Sequence, residues 1–309
     1  MHADLDSLLT GLYVLVDDLL PARRGAGRRP RISDAELITL AVAQILLQCP
    51  SERRFLRLAR QRLGHLFPYI PKQSGYNKRL RKLAPEICLA INHLARISPS
   101  FCDRLRLLDS TPVPCGASRE TVKRSELAGW ATYGYCASHS RYFWGLRLYL
   151  LCAPDGMPVS FALAPANDGE REVAAAMLER ARSEGLLTGG EIIVSDKGFA
   201  GKEFEEILTG LDTTLIRPDR KDETPRFGAL GGIRQWIESV YQTTKSQLSS
   251  STTAGISPTA YGSASASACS PSPPAYGTAG SSGEPDKPIP PDATSPTTTT
   301  DPVKTESVI

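Results

Sequence analysis

The sequence predicts a mixed α/β domain that follows an all-α domain and precedes a low-complexity tail. Three changes in the pattern of apolar residues support this division. Apolar residues recur at helical spacing over residues 1–98, form strand-like runs interrupted by helices over residues 99–248, and become sparse over residues 249–309. At roughly 100–200 residues per domain, a chain of 309 residues is long enough for two folded domains.

The first domain is predicted to contain five helices. Leucines recur every three or four residues between Leu5 and Leu20, which is the spacing of one buried helical face. Ser33, followed three residues later by Glu36, is typical of a capping box at the start of a helix. The predicted helices occupy residues 5–20 and 33–47 and then begin near Ser51, Ser74 and Pro85.

The second domain is predicted to contain six strands and three helices. The strands are short apolar or alternating runs, and Pro154-Asp155-Gly156 forms a turn between two of them. The predicted strands cover residues 104–108, 130–136, 143–152, 159–163, 191–195 and 213–216, and the helices cover residues 170–182, 202–208 and 233–248. Because several strands come before the alternation of helices and strands, we expect a mixed sheet rather than a doubly wound parallel one.

Basic residues are concentrated in the first domain. Residues 1–98 contain sixteen Lys and Arg against eight Asp and Glu, although the whole chain has a net charge of only +3. This distribution favours a DNA-binding helical domain whose side chains contact phosphates, although a charged helix face can also be merely solvated. The candidate DNA contacts on the third and fourth helices are Arg53, Arg54, Arg57, Lys78, Arg79, Arg81 and Lys82.

The sequence argues against a secreted or membrane protein. The longest apolar run, residues 37–47, is too short to span a bilayer, and no basic segment followed by an apolar one begins the chain. The seven cysteines show no metal-binding spacing, so they are expected to be reduced thiols of a cytoplasmic protein.

Three acidic residues are candidates for a metal site. Asp109 and Asp196 each follow an apolar predicted strand, and Glu238 lies on the last predicted helix. Carboxylates at strand ends gather at one edge of a sheet, and three converging ones suit a pair of Mg²⁺ ions about 3.5–4 Å apart. Each acid also has an ordinary structural interpretation, as a turn or N-cap residue for the aspartates and as an exposed helix residue for Glu238.

The last predicted helix carries the most specific motif. Arg234 is followed after three residues by Glu238 and after six more by Lys245, and Gly231 stands where the related pattern Y-x₂-R-x₃-E-x₆-K has tyrosine. Over about residues 1–248 the chain resembles the DDE transposases of bacterial insertion sequences, which have an RNase H-like core. Within them it resembles most the insertion-sequence family numbered nine-eight-two.

The resemblance implies a fold, an activity and a set of site residues. Residues 99–248 would form the RNase H-like domain, holding two Mg²⁺ ions for which Mn²⁺ can substitute. The implied catalytic and metal-binding acids are Asp109, Asp196 and Glu238. Arg234 and Lys245 on the last predicted helix would contact the phosphates of the transposon end, or would serve only as surface charge of that helix. Lys197, which follows the second acid, either faces the DNA or is a solvated lysine. The expected enzyme binds the terminal inverted repeats of its element, cleaves them and joins them to target DNA as a homodimer in the nucleoid.

Two other functional classes stay open. The chain fits a non-catalytic DNA-binding relic or repressor that uses only residues 1–98. It also fits a phosphatase or nuclease built on the same acids. In the haloacid dehalogenase phosphatases, the nucleophilic aspartate is followed two residues later by a second aspartate. Thr111 occupies that second position here, which argues against a covalent aspartyl intermediate at Asp109.

The tail differs sharply from the rest of the chain. Of its 61 residues, from Ser249 to Ile309, 46 are Ser, Thr, Pro, Ala or Gly, and none is Leu, Phe, Trp or Arg. Such a segment buries too little apolar surface to offset its ordering entropy, so disorder is predicted. A frameshift in a GC-rich gene is one hypothesis for the abrupt change after Leu248. Loss of the family's covering helices there would leave this copy inactive or unstable.

Overall fold

A computed structural model describes residues 4–21, 30–125, 127–136, 140–220, 223–224, 226, 235–236 and 239. The predicted tail lies outside these residues. So does most of the last predicted helix, of which Gln235, Trp236 and Ser239 are described and helical. In the described part of the chain, no helix is long and apolar enough to cross a membrane.

Five helices open the chain, as the leucine spacing and caps predict. They are α1 (Leu5–Leu19), α2 (Asp34–Leu46), α3 (Glu52–Arg62), α4 (Gln73–Lys82) and α5 (Ala84–Ile97). The capping box is confirmed, because the Glu36 N–H donates to Ser33 Oγ at 2.9 Å and the Ser33 N–H donates to Glu36 Oε2 at 2.6 Å. Ser51 caps α3 with a single hydrogen bond, because its Oγ accepts from the Arg54 N–H at 3.4 Å. Buried residues from all five helices form one core that includes Leu9, Leu40, Phe55, Tyr76 and Ala90.

The remaining elements form the predicted mixed α/β arrangement. They are β1 (Leu105–Gly116), α6 (Arg119–Arg124), β2 (Thr132–Cys136), β3 (Arg141–Cys152), β4 (Pro158–Pro165), α7 (Glu170–Ser183), β5 (Glu191–Val194), α8 (Lys202–Gly210) and β6 (Thr213–Ile216). The sheet order is β2-β3-β1-β5-β6, with β4 also paired to β3. β1, β2 and β4 run antiparallel to β3, whereas β5 is parallel to β1 and β6. This arrangement confirms the RNase H-like fold class.

The sheet has an apolar core on each face because its strands alternate. Leu108, Tyr149 and Leu151 pack with residues of α7 and α8, whereas Leu107 and Leu150 belong to a second cluster with Trp144. Neighbouring residues of one strand point to opposite faces, which explains the division. The core under α7 and α8 therefore supports the part of β1 and β5 where the candidate aspartates lie.

The first strand is longer than predicted. The sequence indicated a strand ending before Asp109, but β1 continues to Gly116 because Asp109 and the residues after it pair with β3. This extension contains two prolines, Pro112 and Pro114, which have no backbone N–H to donate. β5 pairs only with Leu105–Leu107 on the side of β1 that faces away from β3, and no other strand among the described residues pairs there, so a missing N–H on that side costs little. The short helix α6 was also not predicted.

Candidate functional site

Adjacent parallel strands bring Asp109 and Asp196 to the same level of the sheet. The parallel pairing of β1 with β5 ends at Leu107 opposite Val194. Each aspartate lies two residues beyond this last pair, with Asp109 inside β1 and Asp196 just after β5. The side chain of Asp109 is half-buried and that of Asp196 is exposed. Two of the three predicted acids are therefore positioned by neighbouring strands, with Asp196 following the end of β5 as predicted and Asp109 inside β1 rather than at its end.

A backbone N–H orients each of the two carboxylates. Asp109 Oδ1 accepts a hydrogen bond from the Ser110 N–H at 2.7 Å. Asp196 Oδ1 accepts one from the Gly198 N–H at 2.8 Å and so caps the single 3₁₀ turn Lys197–Phe199. Asp196 thus has the N-cap role that an aspartate after a strand often has. Its place at the same level as Asp109 follows separately, from the parallel pairing of β1 with β5.

A further acid, Glu170, joins the two aspartates and was not predicted from the sequence. It lies in the first turn of α7, and its Oε1 accepts hydrogen bonds from the Ser110 hydroxyl and, at 3.0 Å, from Arg147 Nη1. Its Oε2 faces the turn after β5, because a Cβ built on Gly198 would lie 3.2 Å from this oxygen and 2.9 Å from Asp196 Oδ1. An acid in the first turn of a helix is common, so the sequence offered no specific signal for it.

Arg147 places a positive charge next to Glu170 at this edge. Its guanidinium, on β3, contacts Glu170, lies 3.4 Å from Ser110 Oγ and donates to the backbone carbonyl of Tyr135 at 3.2 Å. Burial raises the pKa of Tyr149 on the same strand, and the nearby Glu170 carboxylate raises it further. Burial also raises the pKa of Asp168, with a smaller contribution from Glu172.

The donor chemistry suits a hard divalent cation, but the ligand set is incomplete within the described residues. Carboxylate oxygens are the preferred protein ligands of Mg²⁺. No three His, Cys, Asp or Glu side chains of that part of the chain form a group that holds a metal ion. The predicted third acid, Glu238, lies outside the described residues, as do Arg234 and Lys245. Lys197 is described and exposed beside Asp196.

Most of the DNA contacts predicted on α3 and α4 are exposed. Arg53, Arg54 and Arg57 on α3 and Lys78 and Lys82 on α4 are exposed, and Arg81 is half-buried. Arg79 differs, because it is half-buried between α2 and α4. Its Nη2 donates to Asp34 Oδ1 at 2.5 Å, and its Nη1 donates to the Ile32 carbonyl at 2.8 Å. Its charge is therefore engaged within the protein.

Comparison with known proteins adds a family and a set of distant structures. The family model for the transposase DDE domain matches residues 100–259, more than half of the 309 residues. No curated protein matches the chain. The crystal structure of the catalytic domain of Mos1 mariner transposase is 8% identical, covers 62% of this chain and 92% of that chain, and has a TM-score of 0.24. The Mos1 strand transfer complex is 12% identical, with 86% and 98% covered and a TM-score of 0.24. Because these TM-scores are low, the family of this chain is identified from the family-model match alone.

Proposed function

This chain belongs to the family of transposase DDE domains, and we propose that it is the transposase of a bacterial insertion sequence of the family numbered nine-eight-two. The chain is accordingly an enzyme of DNA transposition. The proposed substrates are the terminal inverted repeats of its element and a target duplex. The proposed catalytic and metal-binding acids are Asp109, Asp196 and Glu238.

The observation that supports this proposal is the common level of Asp109 and Asp196 on two adjacent parallel strands. The two carboxylates would hold divalent metal, Mg²⁺ or Mn²⁺, together with Glu238. When bound, a pair of such ions supplies Lewis acidity for activating a water or 3′-hydroxyl nucleophile and stabilising the leaving oxygen. The Mos1 catalytic domain has been solved with Mn and with Mg.

The chain's own residues prepare the site for a phosphodiester. The N–H groups of Ser110 and Gly198 fix one oxygen of each aspartate. Arg147 compensates the charge of Glu170, which would otherwise repel the phosphate together with the two aspartates. Lys197, exposed beside Asp196, is placed to attract the backbone of the bound strand. Arg234 and Lys245 are proposed as further phosphate contacts from the last helix.

The helical domain, proposed to span residues 1–98, would recognise the DNA ends. Its exposed basic side chains on α3 and α4 are Arg53, Arg54, Arg57, Lys78 and Lys82. Such contacts contribute affinity that falls steeply as salt rises. Because two ends are joined to one target, a homodimer on DNA at the nucleoid is part of the proposal. Residues 99–248 would form the catalytic domain and residues 249–309 a disordered tail.

The test is Mg²⁺-dependent cleavage of a labelled duplex that carries the terminal repeat of the element. We expect specific nicking by the wild type, and loss of nicking with unchanged duplex affinity in Asp109→Ala and Asp196→Ala. Asp155→Ala is the matched control, because this exposed aspartate lies in the β3–β4 turn. Nicking that survives in both site variants would contradict the assignment of the acids.

The sequence of the tail favours a second candidate, a DNA-binding relic. From Ser249 onward the sequence has few large apolar residues, although the helices that cover the catalytic core in the family are expected at that point. In that case, the wild type would bind the terminal repeat and leave it uncut at every Mg²⁺ and Mn²⁺ concentration. The same cleavage assay therefore separates the two candidates.

A further inference from the structure

Three exposed tyrosines lie together on the β2–β3 hairpin. Tyr133, Tyr135 and Tyr142, here called the tyrosine face, are 59%, 47% and 77% exposed. Tyr135 and Tyr142 are direct partners in the register, with ring centroids 5.0 Å apart, and Tyr133 follows on the same face of β2 two residues earlier. Aromatic rings exposed as a group, rather than singly, are typical of a binding surface.

The surroundings of the tyrosine face are basic. From Leu127 to Pro154 the sequence contains no Asp or Glu, and Arg141 is exposed at the start of β3. The exposed residues Arg119, Lys123 and Arg124 of α6 add positive charge, although Arg124 also pairs with Glu120.

α6 lies next to the hairpin. A Cβ built on Gly116 would lie 3.0 Å from Thr121 Cγ2 of α6 and 3.2 Å from the ring of Trp144, the cross-strand partner of Tyr133. Aromatic rings interleaved with cations suit nucleic acid, since the rings stack on bases and the cations contact phosphates.

The tyrosine face is continuous with the candidate catalytic edge. The same Arg147 guanidinium donates to Glu170 Oε1 and to the Tyr135 carbonyl. A second link joins the start of β2 to the loop before α7, where Thr132 Oγ1 donates to Asn167 Oδ1 at 2.7 Å and accepts from the Asn167 N–H at 3.1 Å. A strand bound at the aspartates therefore has the hairpin as a direct neighbour.

We propose that the tyrosine face binds unpaired DNA bases that flank the cleaved phosphodiester, an inference that rests on the proposed function. Tyr135 and Tyr142 present their rings for stacking, and Arg141 with the basic residues of α6 contacts the phosphates of that strand. Unpaired bases fit better than duplex because the bases of a duplex already stack on one another. Stacking on tyrosine is available to every base, so this surface binds without strict sequence preference.

The test measures the affinity of the full chain for fluorescein-labelled oligothymidylate by anisotropy at constant salt. Tyr142→Ala is expected to weaken this affinity by roughly 5- to 140-fold, which is the effect of losing one stacked base. Tyr142→Phe, which keeps the ring, is expected to stay within about twofold of the wild type. Leu8→Ala on α1, which removes another exposed apolar side chain, is the matched control and leaves the affinity unchanged.

Several results would overturn the proposal. Wild-type affinity in both Tyr142→Ala and Tyr135→Ala would exclude stacking on this surface. An equal loss of affinity for labelled duplex would show a general phosphate effect instead. If Tyr142→Ala converts a dimer to a monomer without changing oligothymidylate affinity, the occupant is a second copy of the chain. Failure of the proposed function is distinguishable, because it is measured by nicking in Asp109→Ala and not by oligothymidylate binding.

Discussion

Gly198→Ala adds a single methyl group between two carboxylates of the candidate site. The new Cβ would lie 2.9 Å from Asp196 Oδ1 and 3.2 Å from Glu170 Oε2. Non-bonded heavy atoms prefer a separation of about 3.5 Å or more, so the Asp196 carboxylate must move by about 0.5 Å. A misplacement of 1 Å costs about 100-fold in rate, and half of that displacement is therefore expected to cost about 10-fold in cleavage.

The measurement is the single-turnover rate of nicking of the terminal-repeat duplex, together with thermal unfolding. Gly198 is exposed, so stability is expected to change by less than about 1 kcal/mol. Gly210→Ala is the matched control, because among the described residues no atom other than those of its chain neighbours and its own helix backbone lies within 4 Å of its added Cβ. A Gly198→Ala enzyme that cleaves at the wild-type rate would show that the position of the Asp196 carboxylate does not limit the reaction, and the assignment of Asp196 would lose its support.

Three further predictions concern stability. The Arg217 side chain is 3% exposed and donates to Glu205 and Glu223. Arg217→Met is therefore expected to lower the free energy of unfolding, measured in urea, by about 2–3 kcal/mol. The control Lys202→Met removes an exposed ion pair and is expected to lower it by less than about 0.5 kcal/mol, as for other surface pairs. The guanidinium of Arg217 lowers the pKa of Glu223 to about 2, from an ordinary 4.5. Stability from this pair is therefore complete above about pH 4.5 and is lost as pH falls toward 2; a wild-type pH profile that Arg217→Met leaves unchanged would contradict this. Ser33→Ala removes one half of the capping box and should lower the unfolding free energy by about 1 kcal/mol, and a thermal midpoint equal to that of wild type would show that the box contributes nothing.

The extent of β1 shows why part of the fold could not be predicted. Its residues after Asp109 include Pro112 and Pro114, and nothing local distinguishes them from a loop. They become a strand because β3, which begins 25 residues after Gly116, pairs with them. The candidate site shows the same division. The position of Asp109 and Asp196 after apolar runs indicated both as candidate site residues. Glu170 was recognised as part of the site only from its contacts with Ser110 and Arg147 in the folded chain.

Local sequence patterns were sufficient to predict the order of the described helices and strands other than α6, the capping box at Ser33 and the presence of acids next to two apolar strands. These features depend on residues within about one helical turn or one strand of each other, so local periodicity and hydrogen bonding are sufficient to predict them. The three-dimensional packing was needed to find the level at which Asp109 and Asp196 lie, the approach of Glu170 and the grouping of the three tyrosines. The first two require strand register or helix packing between residues far apart in sequence, and the third requires the register of the β2–β3 hairpin, which local periodicity does not fix.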